Sequence, residues 1–384
     1  MVANMRKKLE SYLINLIKSG PRSICDKIVL FILSILEKIY NLLILLRRLL
    51  YNLNLVKPGE VEARVISVGN ITAGGTGKTP LVIYLAKKLA EENRVVVISR
   101  GYQSQSEGEE PSVVSDGRNI LTDVSEAGDE VYMMATLLGG VPLITGSNRY
   151  KAARLASRRF NAEIIILDDG FQHWQLKRDV DIVMIDGLKP FGQGRLIPRG
   201  FLREPLSGLK RADFFVISRA HHISREKLQE IKDTLCQYNQ NAVVYEATTS
   251  SVYLKELSVA SLEMKSIIHK KRPLDELKGA KVIAVCGLGN PRSFYRDLEI
   301  SGAEVIETLS FNDHHQYRPD DFDKIINLAR QKAIDIVITT EKDAVKFSRD
   351  DIKKFIDHNI NLYVLGIEIS LKGTVDLAQV INKY

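Results

Sequence analysis

The sequence is poor in the residues that build disulfide frameworks and zinc sites. Its 384 residues include three cysteines and one tryptophan, and Cys25, Cys236 and Cys286 stand far apart with no Cys-x-x-Cys pair. A zinc site or a disulfide framework is therefore not expected, and the cysteine content fits a reducing cytoplasm. The two His-His pairs, at 221–222 and 314–315, also lack the spacing that would indicate a metal centre.

Beyond its N-terminal segment the chain also lacks an excess of positive charge. The first 57 residues contain ten Lys and Arg against three acidic residues, which accounts for the whole net charge of +7. A basic surface spread over the protein is absent, so we expect no nucleic-acid partner. Because the excess charge lies beside the most apolar stretch of the chain, the pattern favours an anionic membrane surface as the partner.

The N-terminal segment, residues 1–57, predicts helices that associate with a membrane. Apolar residues recur at helical spacing between Leu9 and Ile17, and a longer apolar run extends from Ile28 to Leu46. The polar residues of that run form one narrow stripe on a helix: Ser34, Glu37, Lys38 and Asn41. A cleaved signal peptide does not fit a run that is long and starts late. We favour a helix lying in the membrane interface with its stripe in water; a full span and a helix docked on the soluble core are the alternatives.

The rest of the chain alternates strand-like and helical patterns, which is typical of an α/β fold with a mostly parallel sheet. We expect a P-loop NTPase-like domain at 58–247, a charged connector at 248–278 and a smaller second α/β domain at 279–384. Strands are predicted at 64–68, 94–99, 142–145, 163–167, 181–185, 214–218, 242–246, 282–286, 304–309, 334–339 and 362–365. Helices are predicted at 79–92, 126–138, 148–159 and 225–238.

A glycine-rich segment after the first predicted strand has the form of a phosphate-binding loop. Glycines let backbone N–H groups turn towards phosphate oxygens, and the start of the next helix adds its positive dipole end. Lys78 is placed to reach the β- and γ-phosphates of a nucleotide, and the Thr79 hydroxyl to reach a Mg²⁺ ion. The candidate nucleotide-binding residues are Thr72, Ala73, Gly74, Gly75, Thr76, Gly77, Lys78 and Thr79.

Acidic residues stand at positions where α/β proteins place catalytic groups. Asp168 and Asp169 follow a buried predicted strand, as a Walker B acid does, so they are candidate Mg²⁺ ligands; one of them is expected only to cap the following turn. Asp129 opens a predicted helix, where an acid is as often merely a cap. His314 follows the predicted strand at 304–309 in the second domain.

A loop at 187–205 is rich in Gly, Pro and Arg and includes Arg203. Because the planar guanidinium of arginine binds phosphate through two hydrogen bonds, this loop is a candidate clamp for ATP or for an anionic lipid headgroup. A solvated basic loop is the alternative.

Seven motifs occur in order along the chain. They are Val68-Gly-Asn-Ile-Thr-Ala-Gly-Gly-Thr-Gly-Lys-Thr79, Ser99-Arg-Gly-Tyr102, Gly128-Asp-Glu130, Asp168-Asp-Gly-Phe-Gln-His173, Leu202-Arg-Glu-Pro205, Phe311-Asn-Asp-His314 and Thr340-Glu-Lys-Asp343. Together they resemble the tetraacyldisaccharide 4′-kinase family, the lipid A 4′-kinases of Gram-negative bacteria, over almost the whole chain.

The resemblance implies a membrane-bound enzyme on the cytoplasmic face of the bacterial inner membrane. Such an enzyme uses ATP and Mg²⁺ to phosphorylate the 4′-hydroxyl of a tetraacylated glucosamine disaccharide 1-phosphate, with its active site in a cleft between two α/β domains. It implies Asp129 as catalytic base and His314 as its support, with Lys78 and Arg203 stabilising the transferred charge. The implied metal-linked residues are Thr79, Asp168, Asp169 and Glu204, and the implied headgroup residues are Arg100, Gly101, Arg149 and His173.

Two other functions fit parts of the sequence. The first is a membrane-associated P-loop NTPase that acts as a switch or chaperone. Ala73 disfavours it, since such proteins often carry a second lysine there. The second is a membrane adaptor with a vestigial nucleotide site. Transfer of phosphate to lipid indicates the kinase, and release of phosphate to water alone indicates the NTPase. ATP binding without turnover indicates the adaptor.

Overall fold

The structure, a computed structural model, describes residues 2–101, 110–258, 271–373 and 375–383. Its helices are α1 (Val2–Ser19), α2 (Ile24–Asn52), α3 (Lys78–Leu89), α4 (Val124–Ala127), α5 (Asp129–Leu137), α6 (Arg149–Phe160), α7 (Arg225–Tyr238), α8 (Pro291–Ile300), α9 (Pro319–Lys332), α10 (Glu341–Ala344), α11 (Arg349–Asp357) and α12 (Leu377–Lys383). Its strands are β1 (Arg64–Asn70), β2 (Val95–Ser99), β3 (Ser112–Ser115), β4 (Leu143–Thr145), β5 (Ile164–Asp168), β6 (Val180–Asp186), β7 (Phe214–Ser218), β8 (Val243–Glu256), β9 (Lys271–Pro273), β10 (Lys281–Cys286), β11 (Glu304–Ser310), β12 (Ile336–Thr340) and β13 (Asn361–Lys372).

These strands form one sheet in the order β11-β10-β12-β13-β8-β7-β6-β1-β5-β2-β4-β3, with β9 paired to β8. β1 lies between β5 and β6, and these three strands run parallel. Their side chains are nearly all buried, as expected for parallel strands covered on both faces. The predicted α/β fold is confirmed, and each predicted strand occurs. β3 and β9, which are short, were not predicted.

The antiparallel pair of β8 and β13 divides the sheet into two halves, the first with β1–β7 and the second with β10–β13. The strand direction reverses between these halves. β8 runs parallel to β7 over Val243–Glu246 and then continues, antiparallel to β13, as far as Glu256. Because β10, β11 and β12 run parallel to β13, the second half points back towards the carboxyl ends of the first-half strands. The carboxyl ends of the two sets therefore face each other across a cleft.

The segment predicted as a connector is largely strand where the structure describes it. β8 extends to Glu256 and β9 begins at Lys271, while 259–270 lie outside the described residues. The polar composition of this stretch concealed the strand, because only four of the fourteen side chains of β8 are buried. At its C-terminal end the chain returns to the first half, where Leu377 and Ile381 join the core beneath α3. The division into domains stays a prediction.

Helix α2 is long, is capped at its start and exposes an apolar surface. Ser23 and Asp26 form a capping box at its start. Within the described residues it is the helix that is long and apolar enough to cross a membrane, and little of its apolar window is buried. Part of the polar stripe, however, faces the protein: Glu37 Oε1 accepts a hydrogen bond from the backbone N–H of Leu196 at 2.9 Å. Lys38 is exposed, so the expectation that the stripe lies in water is wrong for Glu37 and stays a prediction for Lys38.

Candidate active site

The glycine-rich loop joins β1 to α3 and leaves its backbone open to the cleft. Gly74 has a φ of 117° and Gly77, at the N-cap of α3, a φ of 82°, backbone conformations that favour glycine. Asn70 Nδ2 donates a hydrogen bond to Thr76 Oγ1 at 2.9 Å and so fixes the loop to the end of β1. The geometry is that of a phosphate cradle at a helix N-terminus.

The loop at 187–205, hereafter the clamp loop, pairs with the phosphate loop through backbone hydrogen bonds. Ala73 N donates to Phe201 O at 2.7 Å, and Arg203 N donates to Ile71 O at 2.7 Å. The clamp loop is thus held against the phosphate loop and is not a free solvated loop. Arg203 Nη1 in turn lies 2.8 Å from both carboxylate oxygens of Asp169.

Asp169 is the centre of an ion-pair cluster beside the cradle. Its φ of 56° turns it out of β5, and its Oδ1 lies 3.3 Å from Lys78 Nζ. Burial alone would raise the pKa of Asp169, but the charges of Lys78 and Arg203 outweigh it and lower that pKa to about 2. Lys78, Asp169 and Arg203, all predicted site residues, are therefore in direct contact.

Asp168, at the last position of β5, is buried behind this cluster. Its Oδ2 accepts a hydrogen bond from Ser99 Oγ at 2.9 Å. Burial raises the pKa of Asp168, although the nearby charge of Lys78 opposes that shift. A carboxylate at this position, next to the phosphate loop, is a suitable oxygen ligand for Mg²⁺.

The predicted headgroup residues form a positive cluster on the Asp168 side of the cradle. Arg149 is 1% exposed and donates to Gly146 O and, at 3.5 Å, to Asp168 O; burial lowers its pKa to about 10. Burial and then the Arg149 charge lower the pKa of His173 to about 4. Arg100 is exposed beside the buried Gly101, whereas residue 102, the last of its motif, lies outside the described residues. Arg149 therefore lies beneath the surface of this cluster.

Asp129 and His314 meet across the cleft, although 185 positions separate them in the sequence. His314 Nδ1 lies 2.9 Å from Asp129 Oδ2. Gly128, with a φ of 83°, breaks the single helix predicted at 126–138 into α4 and α5 and leaves Asp129 at the start of α5. Burial would raise the pKa of Asp129, but the His314 hydrogen bond and nearby positive charges lower it to about 2. The same hydrogen bond raises the pKa of His314.

Two lysines of the second half complete this group, and sequence reasoning did not single them out. Lys342 Nζ lies 3.3 Å from His314 Nε2 and 3.0 Å from Asp313 Oδ1. Lys346 is 2% exposed and its Nζ lies 3.4 Å from Asp129 Oδ2. Lys342 belongs to the motif Thr340-Glu-Lys-Asp343, and this motif was the sequence signal that could have identified it as a site residue. Lys346 lies outside the seven motifs, so no motif pointed to it.

Glu204 lies in a buried ion pair behind the clamp loop. Its Oε2 is 2.9 Å from Arg211 Nη2, and its Oε1 accepts a hydrogen bond from Gln172 Nε2 at 2.8 Å. The Arg211 guanidinium also stacks on Phe171 and on Trp174, 4.3 and 4.6 Å from the ring centroids. Both Glu204 oxygens thus already have partners within the protein, and its metal-linked role stays a prediction.

A cavity of about 600 Å³ connects the two sides of the cleft, since Thr79 of α3 and Lys342 of α10 both line it. Across the described ranges no three His, Cys, Asp or Glu side chains converge as a protein-only metal site. A magnesium ion that is shared with nucleotide phosphates needs only one or two protein ligands. The Thr79 hydroxyl and the buried Asp168 carboxylate fit that requirement.

Comparison with known proteins shows the family of the chain. A family model described as tetraacyldisaccharide-1-P 4′-kinase matches residues 29–384. A tetraacyldisaccharide 4′-kinase from Elusimicrobium minutum is 36% identical over 349 residues, 89% of this chain and 88% of that protein. One from Desulfotalea psychrophila is 39% identical over 313 residues, 81% and 86% of the two chains. The crystal structure of "apo" form LpxK from Aquifex aeolicus in complex with ATP superposes with a TM-score of 0.71 at 30% identity, covering 92% of this chain and 99% of that one.

Proposed function

The chain belongs to the tetraacyldisaccharide-1-P 4′-kinase family, and we propose that its reaction takes place where the phosphate loop faces Asp129 and His314. It is an ATP-dependent lipid kinase of lipid A biosynthesis, which phosphorylates the 4′-hydroxyl of a tetraacyldisaccharide 1-phosphate. The observation that carries the proposed site is the 2.9 Å contact between Asp129 and His314 across the cleft.

The phosphate loop and Lys78 hold the triphosphate of ATP. The backbone N–H groups at the start of α3 point towards the phosphates, and Lys78 exchanges its contact with Asp169 for the β- and γ-phosphates. Arg203, whose guanidinium spans both Asp169 oxygens, then neutralises charge on the transferred group.

The Thr79 hydroxyl and the Asp168 carboxylate would hold a Mg²⁺ ion together with the ATP phosphates. Such an ion would supply positive charge that offsets the negative charge of the phosphates during transfer. Asp169 remains with Arg203 and orients this cation towards the nucleotide. Glu204 orients Gln172 and Arg211.

Asp129 accepts the proton of the sugar 4′-hydroxyl. The oxygen of that hydroxyl forms a bond to the γ-phosphorus, and the bond between the γ-phosphorus and the ADP oxygen breaks. A carboxylate with a pKa of about 2 stays ionised and accepts the hydroxyl hydrogen bond throughout. In a loose transition state the proton moves late, when the attacking oxygen has become acidic. His314, held by Lys342, donates its Nδ1–H to Asp129 and fixes the carboxylate.

The substrate headgroup binds at the cluster of Arg100, Arg149 and His173, with Gly101 giving the backbone room to approach. The lipid chains remain in the cytoplasmic face of the inner membrane. Two observations support this location: the exposed apolar residues of α2 and the basic excess of residues 1–57. An anionic surface attracts such a segment.

The test is transfer of label from γ-labelled ATP to the disaccharide 1-phosphate in detergent micelles. Label should enter the lipid with wild-type protein and fail to do so with Lys78→Ala. The control is Lys227→Ala, since the Lys227 side chain pairs with Glu230 at the surface and does not line the cavity of the cleft. Label that appears only as phosphate in solution would contradict the kinase assignment and favour the NTPase.

A further inference from the structure

The contact between α2 and the clamp loop has a geometry that membrane anchoring alone does not require. An anchor needs only apolar residues that enter the bilayer, and α2 has these on its exposed side, Phe31 and Leu42 among them. The opposite side of α2 instead makes directed hydrogen bonds to backbone atoms of the loop that carries Arg203.

Tyr40 bonds to the very residue that reaches into the site. Its hydroxyl donates to the carbonyl oxygen of Arg203 at 2.9 Å, while the N–H of Arg203 donates to Ile71 O in the phosphate loop at 2.7 Å. The main chain of Arg203 is therefore held from both sides, by α2 and by the phosphate loop. Tyr40 also packs against the buried core that contains Ile71, Phe171 and Leu202.

Glu37 makes a second contact, one helical turn away. Its side chain is 12% exposed, its Oε1 accepts from Leu196 N at 2.9 Å, and its Oε2 lies 3.5 Å from Arg195 Nη1. A carboxylate loses hydration when it is buried in this way, so it stays there only when such partners are present. The two contacts together fix both ends of the segment that carries Arg203.

We propose that Tyr40 and Glu37 are positioning residues for Arg203, so that phosphoryl transfer depends on α2 being docked on the clamp loop. The inference rests on the role of Arg203 in the proposed function. It assigns α2 two tasks on two faces: the apolar face binds lipid, and the polar face sets the position of a cation in the active site. A displacement of α2 from the clamp loop then lowers turnover even when substrate is bound.

The test compares Tyr40→Phe with Ile39→Ala in the full-length protein. Tyr40→Phe removes one hydroxyl, and we expect kcat to fall about three- to tenfold, as for loss of one neutral hydrogen bond. The KM for ATP and the binding to vesicles of phosphatidylethanolamine and phosphatidylglycerol should stay the same. The neighbouring Ile39 is 51% exposed, so Ile39→Ala should weaken vesicle binding and leave the kcat of bound enzyme unchanged.

A double-mutant cycle separates an action through Arg203 from general loosening of the fold. If Tyr40 acts through Arg203, adding Tyr40→Phe to Arg203→Ala should cost less than twofold. If the two losses add in full in the double variant, the inference is wrong while the proposed function stands. The same holds if Tyr40→Phe has a normal kcat and Arg203→Ala is impaired. Wild-type turnover by Arg203→Ala would instead refute the role of Arg203 in the proposed function, and the inference would fall with it.

Discussion

The phosphate-loop side of the cleft and the Asp129 side are built in different ways. The first uses consecutive residues at one strand end, fixed by local contacts such as that of Asn70 with Thr76. The second joins Asp129 to a histidine 185 positions away, which depends on the reversal of strand direction between β8 and β13. The nucleotide cradle is thus complete within one half of the sheet, whereas the base is complete only when both halves are in place.

The same contrast holds for the two acidic groups. Asp169 and Asp129 both have a pKa of about 2 although burial acts against it. For Asp169 the offsetting charges, Lys78 and Arg203, come from its own half. For Asp129 the offsetting groups come from the second half, His314 and Lys346 among them. The lowered pKa of the base therefore depends on groups that the second half contributes.

The largest expected effect tests the base itself. Asp129→Asn keeps the shape of the side chain but removes the proton acceptor, so kcat should fall by about 10²–10⁴, with ATP affinity changed less than twofold. Steady-state transfer and ATP titration measure the two quantities. Asp123→Asn, an exposed acid at the start of α4, is the control and should be silent. A loss below tenfold would remove Asp129 as the base.

The next effect concerns the buried lysine. Lys346→Met leaves Asp129 and Asp343, 3.4 and 3.5 Å from its Nζ, without their buried cation, so the free energy of unfolding should fall by about 3–5 kcal/mol. Lys354→Met removes only an exposed pair with Asp323 and should cost at most about 1 kcal/mol. Urea denaturation measures both. Equal, small losses would show that the second half does not hold Asp129 by charge.

The smallest effect is the pH dependence of the contact across the cleft. The pKa of His314 is raised above 6.5 in the folded protein, so its contribution to stability is complete below pH 6.5 and is lost as the pH rises through the folded value. The loss should be about 1 kcal/mol, the difference between a charge-assisted and a neutral hydrogen bond.

Thermal unfolding between pH 6 and pH 9 measures this loss. His314→Gln should remove it, while His315→Gln, which affects a contact with Asp321 inside the second half, should retain it. An unchanged pH profile in His314→Gln would mean that the Asp129 contact does not link the two halves.

Features that depend on a few consecutive residues could be predicted from the sequence. Buried β5 and the glycines before Lys78 carry their signal within a few residues, so the strand, the loop and the facing Asp168 and Asp169 were found in place. The long β8 was missed beyond residue 246 because its pairing partner, β13, lies far along the chain. The break at Gly128 was missed since a helical pattern does not show that one residue has a positive φ.

Site residues whose environment is made by distant contacts were harder to predict. Glu204 belongs to a motif, but its ion pair with Arg211 appears only in the folded chain. Lys346 stands outside every motif, and its approach to Asp129 needs both halves of the sheet. The stripe on α2 was recognised as polar, yet its partner, the backbone of the clamp loop, has no sequence signature.

The ladder between β8 and β13 has a mechanical consequence. Ten residue pairs tie these strands, with one irregularity beside Gly366, where the Tyr253 ring lies so close that a Cβ atom would meet it at 2.1 Å. Rotation about a single flexible linker would break this ladder, whereas bending and twisting of a two-stranded ribbon would not. We therefore expect the cleft to widen by elastic bending of this ribbon, at a cost that rises with the angle, around a single resting width.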